Sequence, residues 1–305
     1  MREKRITKNI FLLSMFQLWT MDGEGEKMES SYFFPFQCYS LSMIFDSHFH
    51  LPSMAARGLS TTLPSSFLGL ECGTEADDLR ERILLVGKRR DVFLSVGAGP
   101  WSLDRPEWKG TEDAISKLRR NIGLYGTDAI GECGFDNHWG YGTKEEQKRL
   151  FVAQAELAKE LEVPLIIHSR DSDQEILDVI SLLDERTIMH CFSSSPEIAE
   201  KLLERGVYLS FSGNVTYKAN REIQKSAEIC PLDRILYETD SPYLSPVPMR
   251  GRPNMPEYTE YTLSFLAELR NEEKEKIKKS AVSNFLRVLN HSESVVERET
   301  VLLQC

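Results

Sequence analysis

From residue 43 onward, short apolar runs alternate with polar loops and with longer segments in which apolar residues recur every three or four positions. The runs are "MIFDS" (43–47), "VFLSVGAG" (92–99), "DAIGECGFD" (128–136), "VPLIIHS" (163–169), "TIMHCF" (187–192), "VYLSFSG" (207–213) and "RILYETD" (234–240). Within each, apolar residues follow one another instead of alternating with polar ones. That is the pattern of strands covered on both faces, as in parallel sheets. A further strand is expected between 60 and 90, where "SFLGLECG" (66–73) is the weakest of the set.

Between the runs, helix signals are clear. In 143–161, Thr143 and Glu146 have the spacing of a capping box, and Leu150, Leu157, Ala158 and Leu161 form an apolar stripe. In 195–206, Ser195 stands at the N-cap, Pro196 in the first turn and Gly206 at the stop. Residues 174–183, 259–270 and 272–289 also read as helices. Strand–helix alternation over 43–290, with no Pro/Gly/Ser-rich linker, predicts a single-domain (β/α)8 TIM barrel. A doubly wound sheet is the second choice, weakened because no GxGxxG or Walker loop follows a strand.

Residues 1–42 and 291–305 fall outside this rhythm. The first is expected to be an extension, disordered or not native to the functional chain, with Met43 as the functional start. Its basic, then apolar beginning is like a secretory leader, but no small-residue cleavage site follows. The second is expected to be a tail.

Composition narrows the class. Hydrophobic residues make up 41% and charged residues 28% of the chain, which excludes disordered and fibrous proteins. No apolar run reaches the roughly 20 residues of a membrane span. The six cysteines contain no CxxC pair and are read as reduced thiols of a cytoplasmic protein, with Cys133 and Cys191 in the core. A net charge of −10 argues against coating nucleic acid through a basic surface. It leaves open an enzyme that grips a phosphate through bound cations.

The chemistry lies at the strand ends. His48 and His50 follow the first run, Glu132 lies in the third, and His168, His190 and Asp240 end or nearly end three others. In a barrel, this is the face where active sites are built. Each residue alone has a structural explanation, but five coincidences at one rim do not. A shared cation also offsets the cost of burying so many ionisable groups together. The HxH spacing presents two imidazoles on one side of a strand. Four His and two carboxylates suit divalent metals such as zinc, manganese or magnesium, and six ligands fit two adjacent ions better than one, with Glu132 as the bridge. Such a site activates water and neutralises developing charge, with Asp240 and Glu132 as the catalytic carboxylates and Asp240 accepting a proton from the attacking water. Arg170, Tyr243, Arg250 and Asn254 are expected to contact substrate.

The stretches "DSHFHL" (46–51), "GECGFD" (131–136), "PLIIHSRD" (164–171), "HCFSSS" (190–195), "ETDSPYL" (238–244) and "PVPMRGRPNMP" (246–256) together resemble the TatD family of metal-dependent deoxyribonucleases. The resemblance implies one metal held by His48, His50, Glu132 and Asp240 and a second by Glu132, His168 and His190. It also implies magnesium-dependent trimming of DNA from the 3′ end, single strands preferred. Three positions depart from the family pattern: Gly99 where a His is common, and Met249 and Met255 where a His and a Glu are common. Two other functions remain open: an amidohydrolase-type C–N or lactone hydrolase, and a non-catalytic metal-binding barrel.

Overall fold

The computed structural model describes residues 42–290, 294–296, 298 and 302. The extension expected at 1–42 therefore lies outside the described residues, Ser42 apart, as do Cys38, His291 and Cys305.

Eight strands form one parallel sheet in chain order: β1 (Ile44–Phe49), β2 (Phe67–Glu71), β3 (Val92–Val96), β4 (Ala129–Asp136), β5 (Leu165–Arg170), β6 (Thr187–Met189), β7 (Tyr208–Phe211) and β8 (Ile235–Tyr237). A lone parallel bridge from Phe49 to Ser241 joins the last strand's exit to the first strand. The sheet thus curls back on itself into the expected (β/α)8 barrel. The apolar run 66–73 supplies β2, every residue of which is buried.

The helices are α1 (Leu51–Ala56), α2 (Leu79–Val86), α3 (Thr111–Tyr125), α4 (Lys144–Leu161), α5 (Asp173–Asp178), α6 (Pro196–Glu204), α7 (Arg221–Ile229), α8 (Thr259–Arg270) and α9 (Lys274–Leu289). The capping box forms as expected: Thr143 Oγ1 accepts from the Glu146 backbone N–H, and the Glu146 carboxylate accepts from the Thr143 N–H. Ser195 stands at the N-cap of α6, without a side-chain cap bond. The helix expected over 174–183 is shorter. It ends at Asp178, because Val179 leaves helical geometry (φ −113°, ψ 8°), and a single 3-10 turn (Ile180–Leu182) follows.

The core lies between sheet and helices. Phe285 of α9 meets Phe45 of β1 at 5.2 Å and Phe93 of β3 at 5.4 Å, both edge-on. The described part of the expected tail is bound to the barrel. Ser294 Oγ donates to Asp128 at 2.6 Å, the Val295 N–H donates to the same carboxylate at 2.7 Å, and Arg298 donates to the Val92 carbonyl at 2.5 Å. Asp128 and Val92 precede β4 and open β3, so this contact fastens the end of the barrel opposite the strand C-termini.

Candidate metal centre

His48 lies in β1 and His50 just beyond it, and their Nε2 atoms are 3.1 Å apart. Glu132, in the middle of β4, stands between two pairs of imidazoles. Its Oε2 is 3.5 Å from Nε2 of both His48 and His50. Its Oε1 is 2.9 Å from Nδ1 of His168, on β5, and 2.9 Å from Nε2 of His190, one residue past β6. Asp240 follows β8 in a left-handed backbone conformation (φ 57°), which brings Oδ1 to 3.3 Å from His50 Nε2 and 4.0 Å from His48 Nε2. All six sequence-predicted ligands are therefore brought together, in the two groups that Glu132 was expected to bridge.

The surrounding hydrogen bonds decide which imidazole nitrogen faces the centre. A carbonyl oxygen can only accept, so Nδ1 of His50, 3.0 Å from the Cys72 carbonyl, carries a proton, and in the neutral ring Nε2 is the lone pair. Nδ1 of His190 donates to Glu238 Oε1 at 3.1 Å, and Nε2 of His168 donates to Asp136 Oδ2 at 3.3 Å. With neutral rings, the nitrogens aimed at Glu132 are thus acceptors facing an acceptor. Only a proton or a cation between them makes that arrangement favourable.

The titration behaviour agrees. Burial pushes the Glu132 carboxyl up, but the charge on His190 and hydrogen bonds from His168, His190 and His48 outweigh it and hold the group well below the usual range. Burial acts to lower His50; its hydrogen bond to Asp240 and the charges of Glu132 and Asp240 overcome this and raise it to about 9. His190 is driven well above its ordinary value and His168 upward, in both cases against burial and through their carboxylate partners. His48 is lowered, by burial and by the neighbouring His190, whose ring stacks on it at 3.8 Å. A divalent ion replaces such protons when it binds. Imidazole and carboxylate groups gathered this closely could hold a divalent metal ion.

Sequence reasoning missed the groups behind the ligands. Glu238 is fully buried and also accepts from the Cys191 N–H at 2.9 Å; Asp136 orients His168; the Cys72 thiol lies 3.2 Å from His48 Nδ1. Glu238 and Asp136 stand inside the quoted motifs, two and four residues from a ligand, and that proximity was the available signal. Beneath β2, a buried Arg82 bonds Glu71 and Asp78, each at 2.8 Å, and Glu71 accepts from the Leu51 N–H, next to His50, at 3.2 Å.

Above the centre, a cavity of about 1260 Å³ opens at the strand C-termini, and Arg170 and Tyr243 line it as expected. Arg250 stands behind this lining, its guanidinium 4.4 Å from the ring of Tyr217, which does line it. Asn254, expected to contact substrate, does not line the cavity. It is fully buried, its amide bound to the Thr239 carbonyl at 2.8 Å, because the loop after β8 folds back over its own start. Cys133 is core, but Cys191 is not. It lies past the end of β6 in a left-handed conformation (φ 44°), which breaks strand alternation and turns it toward the cavity. At Gly99, a side chain would strike the Trp101 ring, whose nearest carbon lies 2.0 Å from an ideal Cβ. That indole stands edge-on to His168 at 5.4 Å and occupies the space a side chain at 99 would need. His138 stays outside the centre and pairs with Asp171 at the surface, at 3.1 Å.

The family model described as "TatD related DNase" matches residues 45–290. An uncharacterized metal-dependent hydrolase of Bacillus subtilis, YabD, is 40% identical over 264 residues, covering 81% of this chain and 98% of its own. Another from Escherichia coli, YcfH, is 35% identical over 209 residues, 68% of this chain and 77% of its own. Among solved structures, the TatD homologue YjjV of Escherichia coli superposes with a TM-score of 0.71 at 24% identity, over 82% of this chain and 98% of its own, a likeness of fold. No helix among the described residues is long and apolar enough to cross a membrane. With the family model matching residues 45–290 and a relative 40% identical over 98% of its own length, this chain belongs to the TatD family of metal-dependent hydrolases.

Proposed function

We propose that the protein hydrolyses phosphodiester bonds of DNA with two divalent cations, magnesium in the first place, and trims single strands from the 3′ end. The observation that carries this reading is the divided carboxylate of Glu132, each oxygen of which faces its own pair of imidazoles. When bound, paired divalent ions supply an activated water and neutralise charge on a phosphoryl group.

The chain's residues provide the rest. Glu132 commits both oxygens to the imidazoles. Asp240 is the more exposed acid, its side chain 13% accessible against 4% for Glu132, and it lines the cavity. It is therefore the group placed to take a proton from the attacking water. Arg170 and Tyr243 line the same cavity, and a guanidinium and an aromatic ring are groups suited to a phosphate and a base. The printed description of the matching family model supports DNA as the substrate. The bridging place taken by a modified lysine in many amidohydrolases is held here by Glu132, and β4 contains no lysine.

The reading is tested with the metal-loaded protein, magnesium and a labelled single strand. Progressive metal-dependent shortening from the 3′ end is expected. A protein that binds metal but leaves the strand intact, while cleaving amides or lactones, overturns it.

A further inference from the structure

The barrel is fastened unevenly around its circumference. β7 and β8 pair along a ladder, Leu209 with Ile235, Ser210 with Leu236 and Phe211 with Tyr237. Between β8 and β1, the only bridge among the described residues is that from Phe49 to Ser241. Side chains close the rest of this seam. Ser47 Oγ donates to the Tyr237 carbonyl at 3.0 Å and meets Ser210 Oγ at 2.8 Å. Asp46 is fully buried and binds three donors. Its Oδ1 accepts from the Thr239 N–H at 2.9 Å and the His48 N–H at 3.2 Å, and its Oδ2 accepts from the Thr239 hydroxyl at 2.5 Å. Each of these donors belongs to a residue predicted as a ligand, His48, or to the residue just before one, Asp240.

Asp240 depends on such support. Its backbone is left-handed (φ 57°), and a residue with a side chain stays in that conformation only where its surroundings fix it. Both of its neighbours are fixed. Thr239 is bound to Asp46, and its carbonyl accepts from Ser212 Oγ at 2.9 Å and from the Asn254 amide at 2.8 Å. Ser241 is bound to Thr239, whose Oγ1 accepts from the Ser241 N–H at 3.0 Å and from its hydroxyl at 2.5 Å. The Ser241 carbonyl accepts from the His50 N–H at 2.9 Å, and the Asp240 N–H donates to the His48 carbonyl at 2.9 Å. A chain of bonds therefore runs Asp46–Thr239–Ser241–His50 and brackets Asp240. It sets the Asp240 carboxylate, 3.3 Å from His50 Nε2, against the imidazoles of β1. None of these links involves β5 or β6, which deliver His168 and His190 and are joined by a ladder of their own.

Resting on the two-ion reading above, we propose that Asp46 is a positioning residue for the first ion, the one assigned to His48, His50, Glu132 and Asp240. Its carboxylate holds Asp240 in the left-handed turn and so places that acid relative to the two imidazoles; the ion at Glu132, His168 and His190 does not depend on it. The chemistry of the bonds requires a carboxylate. The Thr239 hydroxyl has its hydrogen on Asp46 and both lone pairs taken by Ser241. An asparagine at 46 would turn its amide donors either toward that filled oxygen or toward the Thr239 and His48 N–H groups, none of which can accept. Ser47 closes the same seam, but its partners, Tyr237 and Ser210, adjoin no ligand, so it separates support of the fold from placement of Asp240.

The test is calorimetric titration of metal-stripped proteins with manganese, alongside thermal melts, for wild type, Asp46→Asn, Thr239→Val, Thr239→Ser and Ser47→Ala. Wild type is expected to show two binding steps. Asp46→Asn and Thr239→Val are expected to weaken one step about 10- to 100-fold and to leave the other within about threefold. Thr239→Ser keeps the hydroxyl and is expected to restore wild-type affinity. In a chain that also carries His168→Ala and His190→Ala, Asp46→Asn is expected to weaken the remaining step by the same factor, which assigns the effect to the first ion. Ser47→Ala is expected to melt earlier with both steps unchanged. With two steps in the wild type, the proposal is overturned by Asp46→Asn and Thr239→Val chains that keep both steps, weaken both alike or do not fold. It is also overturned by a Thr239→Ser chain as weak as Thr239→Val, or a Ser47→Ala chain as weak as Asp46→Asn; the two-ion reading then stands. A wild-type protein with fewer than two steps overturns the two-ion reading and the role of Asp46 with it.

Discussion

Replacing Glu238 by Gln tests whether the groups behind the ligands set metal affinity. Glu238 is fully buried, and its Oε1 accepts from His190 Nδ1 at 3.1 Å and from the Cys191 N–H at 2.9 Å. Hydrogen bonds to a charged acceptor contribute about 1.5–3 kcal/mol and neutral ones about 0.5–1.5 kcal/mol, so each bond loses about 1 kcal/mol when the carboxylate becomes an amide. The bond to His190 acts directly on the ligand: its N–H donation fixes the ring and makes the opposite nitrogen a better donor to a metal. A loss of about 1–1.5 kcal/mol there corresponds to a fall of about tenfold in affinity for the ion at Glu132, His168 and His190. The other ion, held by His48, His50 and Asp240, is expected to change less. The new amide also places a donor where Glu238 Oε2 has no partner among the described residues, so the variant is expected to melt earlier. The assay is calorimetric titration of metal-stripped wild-type and variant proteins with manganese, alongside thermal melts by circular dichroism. If the variant folds as the wild type does and both affinities stay within about twofold, the proposed role of Glu238 is wrong.

Arg82→Ala leaves Glu71 and Asp78 without their buried partner and is expected to cost about 3–5 kcal/mol in urea denaturation. Thr143→Ala removes the α4 cap and is expected to cost about 1 kcal/mol with kcat unchanged, since the cap lies outside the metal centre. Gly99→Ala forces the Trp101 ring away from its place beside His168; a loss of about 1–3 kcal/mol in stability, with a change in indole fluorescence, is expected. In metal-free protein, His50 is raised above its ordinary 6.5 to about 9, so its contribution to stability is full below pH 6.5 and is lost as pH rises through 9. Metal binding at neutral pH must then release protons, which titrations in two buffers of different ionisation enthalpy will reveal.

The barrel was legible because strands covered on both faces leave unbroken apolar runs, and even the weak run at 66–73 became β2. The ligands were legible because a strand's exit is a fixed place in this fold, so His168 or Asp240 needed only its position in a run to be assigned to the rim. Loops carry no such period. Asn254 was read as a substrate contact, yet its loop turns it inward onto Thr239. Cys191 was read as core because a strand was assumed to continue past His190, whereas the backbone turns left-handed there. Glu238 and Asp136 looked like neighbours of ligands, and only the folded chain shows which ring nitrogen each one holds. The Asp46–Thr239 contact was invisible for a different reason: those residues meet only because the sheet closes between its first and last strands.

Bound metal per chain tests the central claim most directly. After stripping and reloading, elemental analysis of the wild-type protein should find two divalent ions. The His168→Ala/His190→Ala double variant should keep one, held by His48, His50, Glu132 and Asp240. A wild-type protein that saturates with a single ion, or a double variant that still holds two, would contradict the bridging role assigned to Glu132.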